Sequence, residues 1–163
     1  MDCICYIDTD LDTGKFIEIS EAEASTQPSQ LVGAFSGDRL IQKVHLRGES
    51  VISVKYFDVI DPSAALAWHS ESYPSVIGEA WEPYQRDHIG MHRVGHKSSC
   101  GSVEELEIER LDSEGDPVAE ERYTPDGRLI ERTEYGYDGN KEIVEERIYN
   151  RHGVLIDTIR HDE

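Results

Sequence analysis

Tyr123–Asn140 reads "YTPDGRLIERTEYGYDGN", and whether it is a ligand-cradling loop or one unit of an array decides how the rest of the chain is read. From Glu104 onward a frame of Leu or Tyr, three residues and Gly occurs four times, as Leu111-"DSE"-Gly115, Tyr123-"TPD"-Gly127, Tyr135-"GYD"-Gly139 and Tyr149-"NRH"-Gly153. The steps between these glycines are 12, 12 and 14 residues. Runs such as "RLIERTE" and "VLIDTIR" follow the glycines, mixing β-branched residues with charges as strands do. In "PDG", Pro and Asp suit a type I turn, and Gly supplies the left-handed residue that closes a bulged hairpin loop. The spacing therefore predicts an antiparallel meander of about five strands.

Side chains alternate along a strand, so Leu129, Glu131, Thr133 and Tyr135 are expected on one side, and Ile130, Arg132 and Glu134 on the other. Each side is only half apolar. Such a sheet is held in part by cross-strand Glu–Arg and Tyr–aliphatic pairs worth about 0.2–1 kcal/mol each. It is expected to lean on the first half of the chain for a core. The expected organisation is a single domain over 1–163, with hairpins and short helices in 1–103 and the repetitive meander in 104–163.

The units resemble the tyrosine-aspartate (YD) repeats of Rhs-type bacterial proteins, in which Tyr-Asp-x-x-Gly-Arg-Leu recurs along β-rich chains. The matching segments are "YTPDGRLIERTEYGYDG" and "YNRHGVLIDT", within residues 108–160. Tyr-Asp itself stands only at Tyr137-Asp138, and there are four units rather than dozens. Short arrays of this kind are also similar to those of stand-alone immunity or antitoxin components of bacterial toxin systems. That resemblance implies a protein that binds a toxin.

The first half holds more apolar strand material. "CICYIDTDLDTGKFIEI" reads as a hairpin turning at Asp12-Thr13-Gly14, and "LIQKVHLRGESVISVKYFDVI" as another turning at Arg47-Gly48-Glu49. Ser20 and Glu23 stand in capping-box relation before a short helix that Pro28 ends or bends. Asp61 and Pro62 mark the N-cap and first turn of a second helix, "DPSAALAWHS". Residues 70–103 lack a sustained period and are expected to be irregular, with one further strand at most. The fold class is thus mainly β, α+β being the alternative, with one or two short helices on one face of the meander.

Thirty-four acidic residues against 16 basic ones give a net charge of −18. A field of that sign repels nucleic acid and anionic lipid, and steers basic partners inward. No apolar stretch reaches the roughly 20 residues of a membrane-spanning helix, and "MDCICYIDTD" reads as a strand rather than a leader. Cys3, Cys5 and Cys100 are an odd set, read as reduced thiols of a cytoplasmic protein.

His88, His92, His96 and Cys100 recur every four residues, so on a helix they would line one stripe and grip zinc. Gly90 and Gly95 interrupt the segment, and polar loop or strand histidines are the expectation. Cys3 and Cys5 share a strand face, which small buried thiols explain as well as a metal does. Asp8, Asp10 and Asp12 outline a calcium-loop pattern, but the Gly at loop position six and the terminal Glu are missing. "EELEIE", "AEERY" and "VEERIY" offer many carboxylates and no preferred acid–base pair. No nucleophile elbow or phosphate loop occurs. The chain is therefore expected to be neither an enzyme nor a cofactor binder.

What remains is a binding surface. Trp68 is expected to pack beneath its own helix, whereas Trp81 is assigned to the partner surface as an aromatic anchor, the alternative being that it plugs the edge of the core. Glu120, Glu121, Glu131, Glu134, Glu145 and Glu146 complete that surface. They are expected to face Lys and Arg of a basic protein toxin and occlude its active site. The alternatives are a zinc enzyme or sensor using the histidine series, and a structural accessory of a secretion system.

Overall fold

Residues 2–9, 16–88 and 90–161 are described by the structure, a computed structural model. The fold is mainly β and mostly antiparallel, and the chain forms two compact units. One comprises Met1–Trp81 with Ser98–Ser102; the other comprises Glu82–Lys97 with Val103–Glu163.

The first unit contains β1 (Asp2–Thr9), β2 (Phe16–Ile19), α1 (Glu21–Ala24), β3 (Gln30–Ser36), β4 (Arg39–Arg47), β5 (Ser50–Tyr56), α2 (Pro62–Ser72) and β6 (Ile77–Trp81). Its strand order is β6-β5-β4-β3-β1-β2. β1 and β2 pair antiparallel as expected, while the turn at Asp12-Thr13-Gly14, with Asp10, lies outside the described residues. β4 and β5 turn at Gly48-Glu49. β3 and its hairpin with β4 were not anticipated, because "QLVGAFS" is short and its Gly33 obscures the pattern. β5 and β6 run parallel, joined by the α2 crossover, in place of a purely antiparallel chain.

The helices start where their caps dictate. Ser20 and Glu23 form the reciprocal capping box, and Asp61 accepts the Ala64 N–H at 3.0 Å with Pro62 in the first turn. Ile7, Val54, Leu66 and Ala80 are almost fully buried. Large aliphatic side chains so placed each contribute about 1.5–3 kcal/mol. His69 of α2 is buried beside them. Its Nε2 donates to the Val76 carbonyl at 2.9 Å, which leaves Nδ1 to accept from the Tyr56 hydroxyl, also at 2.9 Å. Burial, with Tyr73 adding to it, pushes the Tyr56 phenol up to about 12.

The second unit contains β7 (Gln85–Arg86), β8 (Met91–Ser98), β9 (Glu105–Leu111), β10 (Pro117–Tyr123), β11 (Leu129–Tyr137), β12 (Ile143–Asn150) and β13 (Leu155–Arg160). β8 to β13 follow one another in order, and β7 pairs with β8. β6, β7 and β8 correct the reading of 70–103 as irregular, since their alternation is broken by Pro83, Gly90 and Gly95.

The four hairpins from β9 to β13 share one construction. The N–H of Asp112, Thr124, Asp138 and Asn150 each donates to the carbonyl four residues on, and the N–H three residues on donates back. The side chain of each also accepts backbone N–H groups of its own turn, as Asp138 does from Asn140 and Glu142. The left-handed position is taken by Gly115, Gly127, Lys141 and Gly153, at φ +97°, +83°, +66° and +72°. The third unit is therefore Tyr137-Asp138-Gly139-Asn140-Lys141, two residues later than the Tyr135 frame, and the steps are 12, 14 and 12. Its Lys141 hid the frame, because a lysine at positive φ carries no turn signal.

Each hairpin also holds one surplus residue early in its second strand. Cross-strand pairing skips Val118, Ile130, Val144 and Ile156 in turn. These bulges reset the alternation. Leu129 thus pairs opposite Tyr123 and leaves the side occupied by Glu131, which corrects the simple alternation across "RLIERTEY".

Candidate protein-binding face

The registers assemble two chemically different faces on the second unit. One row runs Arg93, Glu109, Glu120, Thr133, Ile148, Asp157, each directly opposite the next across neighbouring strands. A second runs Glu107, Arg122, Glu131, Asn150, and a third Tyr135, Glu146, Ile159. Glu105, opposite Lys97, lies on the same side, two residues from Glu107. This glutamate face carries the acids Glu105, Glu107, Glu109, Glu120, Glu131, Glu146 and Asp157, against Arg93, Lys97 and Arg122. The reverse side has the rows His92, Arg110, Ala119, Glu134, Arg147, Thr158 and Val94, Ile108, Glu121, Arg132, Tyr149, Leu155, with Glu145 opposite Arg160. On it Arg110, Arg132, Arg147 and Arg160 match Glu121, Glu134 and Glu145.

That division sorts the expected binding residues. Glu121 is buried, with Arg110 at 3.2 Å and Arg132 at 3.7 Å. Glu134 meets Arg132 at 2.7 Å, and Glu145 meets Arg147 at 2.5 Å and Arg160 at 3.4 Å. All three are compensated by arginines of their own face, and the burial of Glu121 takes it out of reach of a partner, which corrects its assignment. Trp81 is corrected likewise. It is only 4% exposed, with its ring under the Lys55 ammonium and its indole N–H donating to Glu79. Trp68 is instead 55% exposed on α2, edge-on to Tyr56 and Tyr73, and not beneath its helix.

Glu120, Glu131 and Glu146 remain together on the glutamate face. Glu131 shares Arg122 with Glu105, and the guanidinium holds the Glu105 carboxyl below its ordinary range. Glu109 takes Arg93 at 2.5 Å and the Tyr84 hydroxyl at 2.7 Å. Glu146 meets His161 at 2.8 Å. Glu120 accepts from Tyr135, whose phenol is driven up by burial and then by the charges of Glu120, Glu146 and Glu107. Glu109 and Glu120 stand directly opposite, a like-charge pair that costs stability in a sheet. Sequence reading missed Glu105, Glu107, Glu109 and Asp157 as members of this face. The signal lay in "EELEIE", whose alternate glutamates must share a side once the segment is a strand.

The histidine series does not form a helical stripe. His92 and His96 lie on β8, their rings on the arginine-bearing side, with His92 Nδ1 3.3 Å from Asp87 and His96 Nε2 2.7 Å from Glu82. His88 lies in the bend before β8, and Cys100 is exposed beyond its end. Among the described residues no group of three or more His, Cys, Asp or Glu is placed to hold a metal ion. Cys3 is exposed and Cys5 half-buried, and burial raises the Cys5 thiol. No described helix is long and apolar enough to cross a membrane. No family model matches the chain, and neither the curated proteins nor the solved structures contain a match.

Proposed function

We propose that the chain is a non-catalytic inhibitor that binds a basic protein, in the manner of an immunity or antitoxin component, and that the glutamate face is the surface it uses. The observation that carries this reading is the one-sided charge of the second unit: seven carboxylates against three bases on one face, and three against four on the other. Ion pairs within the glutamate face position its carboxylates without cancelling the excess. A cationic protein approaching it gains long-range attraction from that excess. The YD-like hairpins favour a bacterial toxin as that protein, met in the cytoplasm, its nucleic-acid-gripping Lys and Arg being covered.

The test is growth rescue and binding with the toxin encoded beside this chain. Glu120→Lys with Glu146→Lys should abolish protection and binding. Glu134→Lys with Glu145→Lys, an equal change in net charge on the other face, should leave both intact. Association should slow steeply as salt rises from about 50 to 500 mM. Equal effects from the two double variants, or salt-independent association, would remove the glutamate face from the proposal.

A further inference from the structure

We infer that the outer edge of β13 pairs antiparallel with β13 of a second copy of this chain, about a two-fold axis at Ile159. The inference concerns the edge of the sheet and does not rest on the proposal for its face, although Asp157 belongs to both.

β13 ends the strand order and, among the described residues, bonds to β12 alone. The His161 N–H donates to the Val144 carbonyl at 3.0 Å. Antiparallel bonding alternates, so Ile159 and Asp157 also turn their backbone groups to β12, and those of Thr158 and Arg160 point to the open side. The Thr158 N–H is in fact met only by its neighbour's side chain, Asp157 Oδ1 at 2.8 Å. Beyond Thr158 toward the turn, the bulge at Ile156 ends the regular edge. The strand is otherwise open, with Leu155 49%, Ile156 56% and Ile159 41% exposed.

A two-fold axis perpendicular to the sheet keeps like faces together and pairs residues of the same parity. Centred on Ile159, it sets Thr158 opposite Arg160 of the second copy in both directions, so the two outward residues supply four backbone hydrogen bonds. Ile159 meets Ile159 at the close, non-bonded position, and Asp157 meets His161 of the second copy. Centring on Asp157 or Arg160 would place like charges opposite, and centring on Thr158 would leave Asp157 facing Ile159. Only the Ile159 register joins carboxylate to imidazole and apolar to apolar. On pairing, Thr158 exchanges its Asp157 bond for a strand bond, and the Asp157 carboxylate is released to the opposite imidazole, which it shares with Glu146 of that copy. The short edge falls below the area of a standard stable interface, so the dimer forms in the range of about 10 µM to 1 mM.

Sedimentation equilibrium of the whole chain over that range should show a monomer–dimer equilibrium. Ile159→Lys should weaken it by about tenfold or more without changing the circular dichroism. Asp157→Lys should weaken it as well, and Asp157→Lys with His161→Glu, which sets an ammonium opposite a carboxylate, should recover it. Hydrogen exchange at the Thr158 and Arg160 amides should slow with protein concentration. A wild-type chain that stays monomeric at about 1 mM, a dimer indifferent to both the Ile159 and the charge-exchange variants, or edge amides protected only by an added cationic protein would each overturn the inference.

Discussion

Lys141 occupies in its hairpin the place that Gly127 occupies in the hairpin before it. Both are left-handed, at φ +66° and +83°, and both close the turn with the same backbone bond. Lys141 is held there by Glu114 and Asp116 of a neighbouring turn, which raise its ammonium well above the ordinary lysine range. A lysine gains little from its backbone position, so its charge partners and its dihedral work against each other. Lys141→Gly should raise the melting temperature at high salt, where the bridge is screened, and raise it less or not at all at low salt. Gly127→Ala, which adds strain with no compensating pair, should cost about 1 kcal/mol in urea unfolding.

The pairing of His69 with Tyr56 is a second pressure point. Tyr56→Phe leaves the buried His69 Nδ1 without its donor and should cost about 1–3 kcal/mol in urea unfolding. A methyl group at Gly78 would lie 2.6 Å from the His69 ring. Gly78→Ala should therefore destabilise by a similar amount, about 1–3 kcal/mol.

Alkaline pH should weaken the fold through Tyr56. Its folded value of about 12 stands above the 10.0 of an unperturbed phenol, so the native state holds the proton longer than the unfolded chain does. The stabilisation is complete below pH 10 and is lost as pH rises toward 12. Tyr56→Phe should flatten that part of the pH–stability curve, measured by urea midpoints.

At the acid end the sign reverses. Arg122 holds Glu105 below the 4.5 of an unperturbed glutamate, so this contribution is present above pH 4.5 and lost as pH falls through the folded value. Arg122→Met should reduce the acid-induced loss of stability between about pH 5 and 3. Glu121→Ala strips Arg110 and Arg132 of a buried acceptor and should cost about 1–3 kcal/mol in urea unfolding.

The local chemistry of turns and caps was legible in the sequence. The Ser20–Glu23 box, the Asp61 cap and the bulged hairpin loops at Gly115, Gly127 and Gly153 follow from short-range bonds that neighbouring residues determine. What escaped was set by partners distant in sequence or by departures from pattern. Lys141 displaced the repeat frame because only a backbone angle marks it. Plain alternation separates Glu120 from Glu121, Glu131 from Glu134 and Glu145 from Glu146 within each strand, but which of them share a face depends on the register between strands, which the surplus residues at Val118, Ile130, Val144 and Ile156 reset. Trp68 and Trp81 exchanged their expected surroundings because burial depends on which strand β6 lies beside. β5 fixes that by parallel pairing, and parallel pairing leaves no local signal.

The surplus residue in every hairpin has a consequence for how this sheet can grow. A hairpin copied whole, with its turn and its own bulge, hands the next strand on in unchanged register, so the acidic side stays acidic however many units follow. Loss of the surplus Ile130 leaves the faces as they are, because Leu129 and Glu131 already lie opposite Tyr123 and Arg122 on different sides, whereas loss of a paired residue such as Thr133 turns everything downstream over and brings arginines where glutamates stood. Length is thus cheap to change in steps of a dozen or so residues and ruinous to change by one within a paired run.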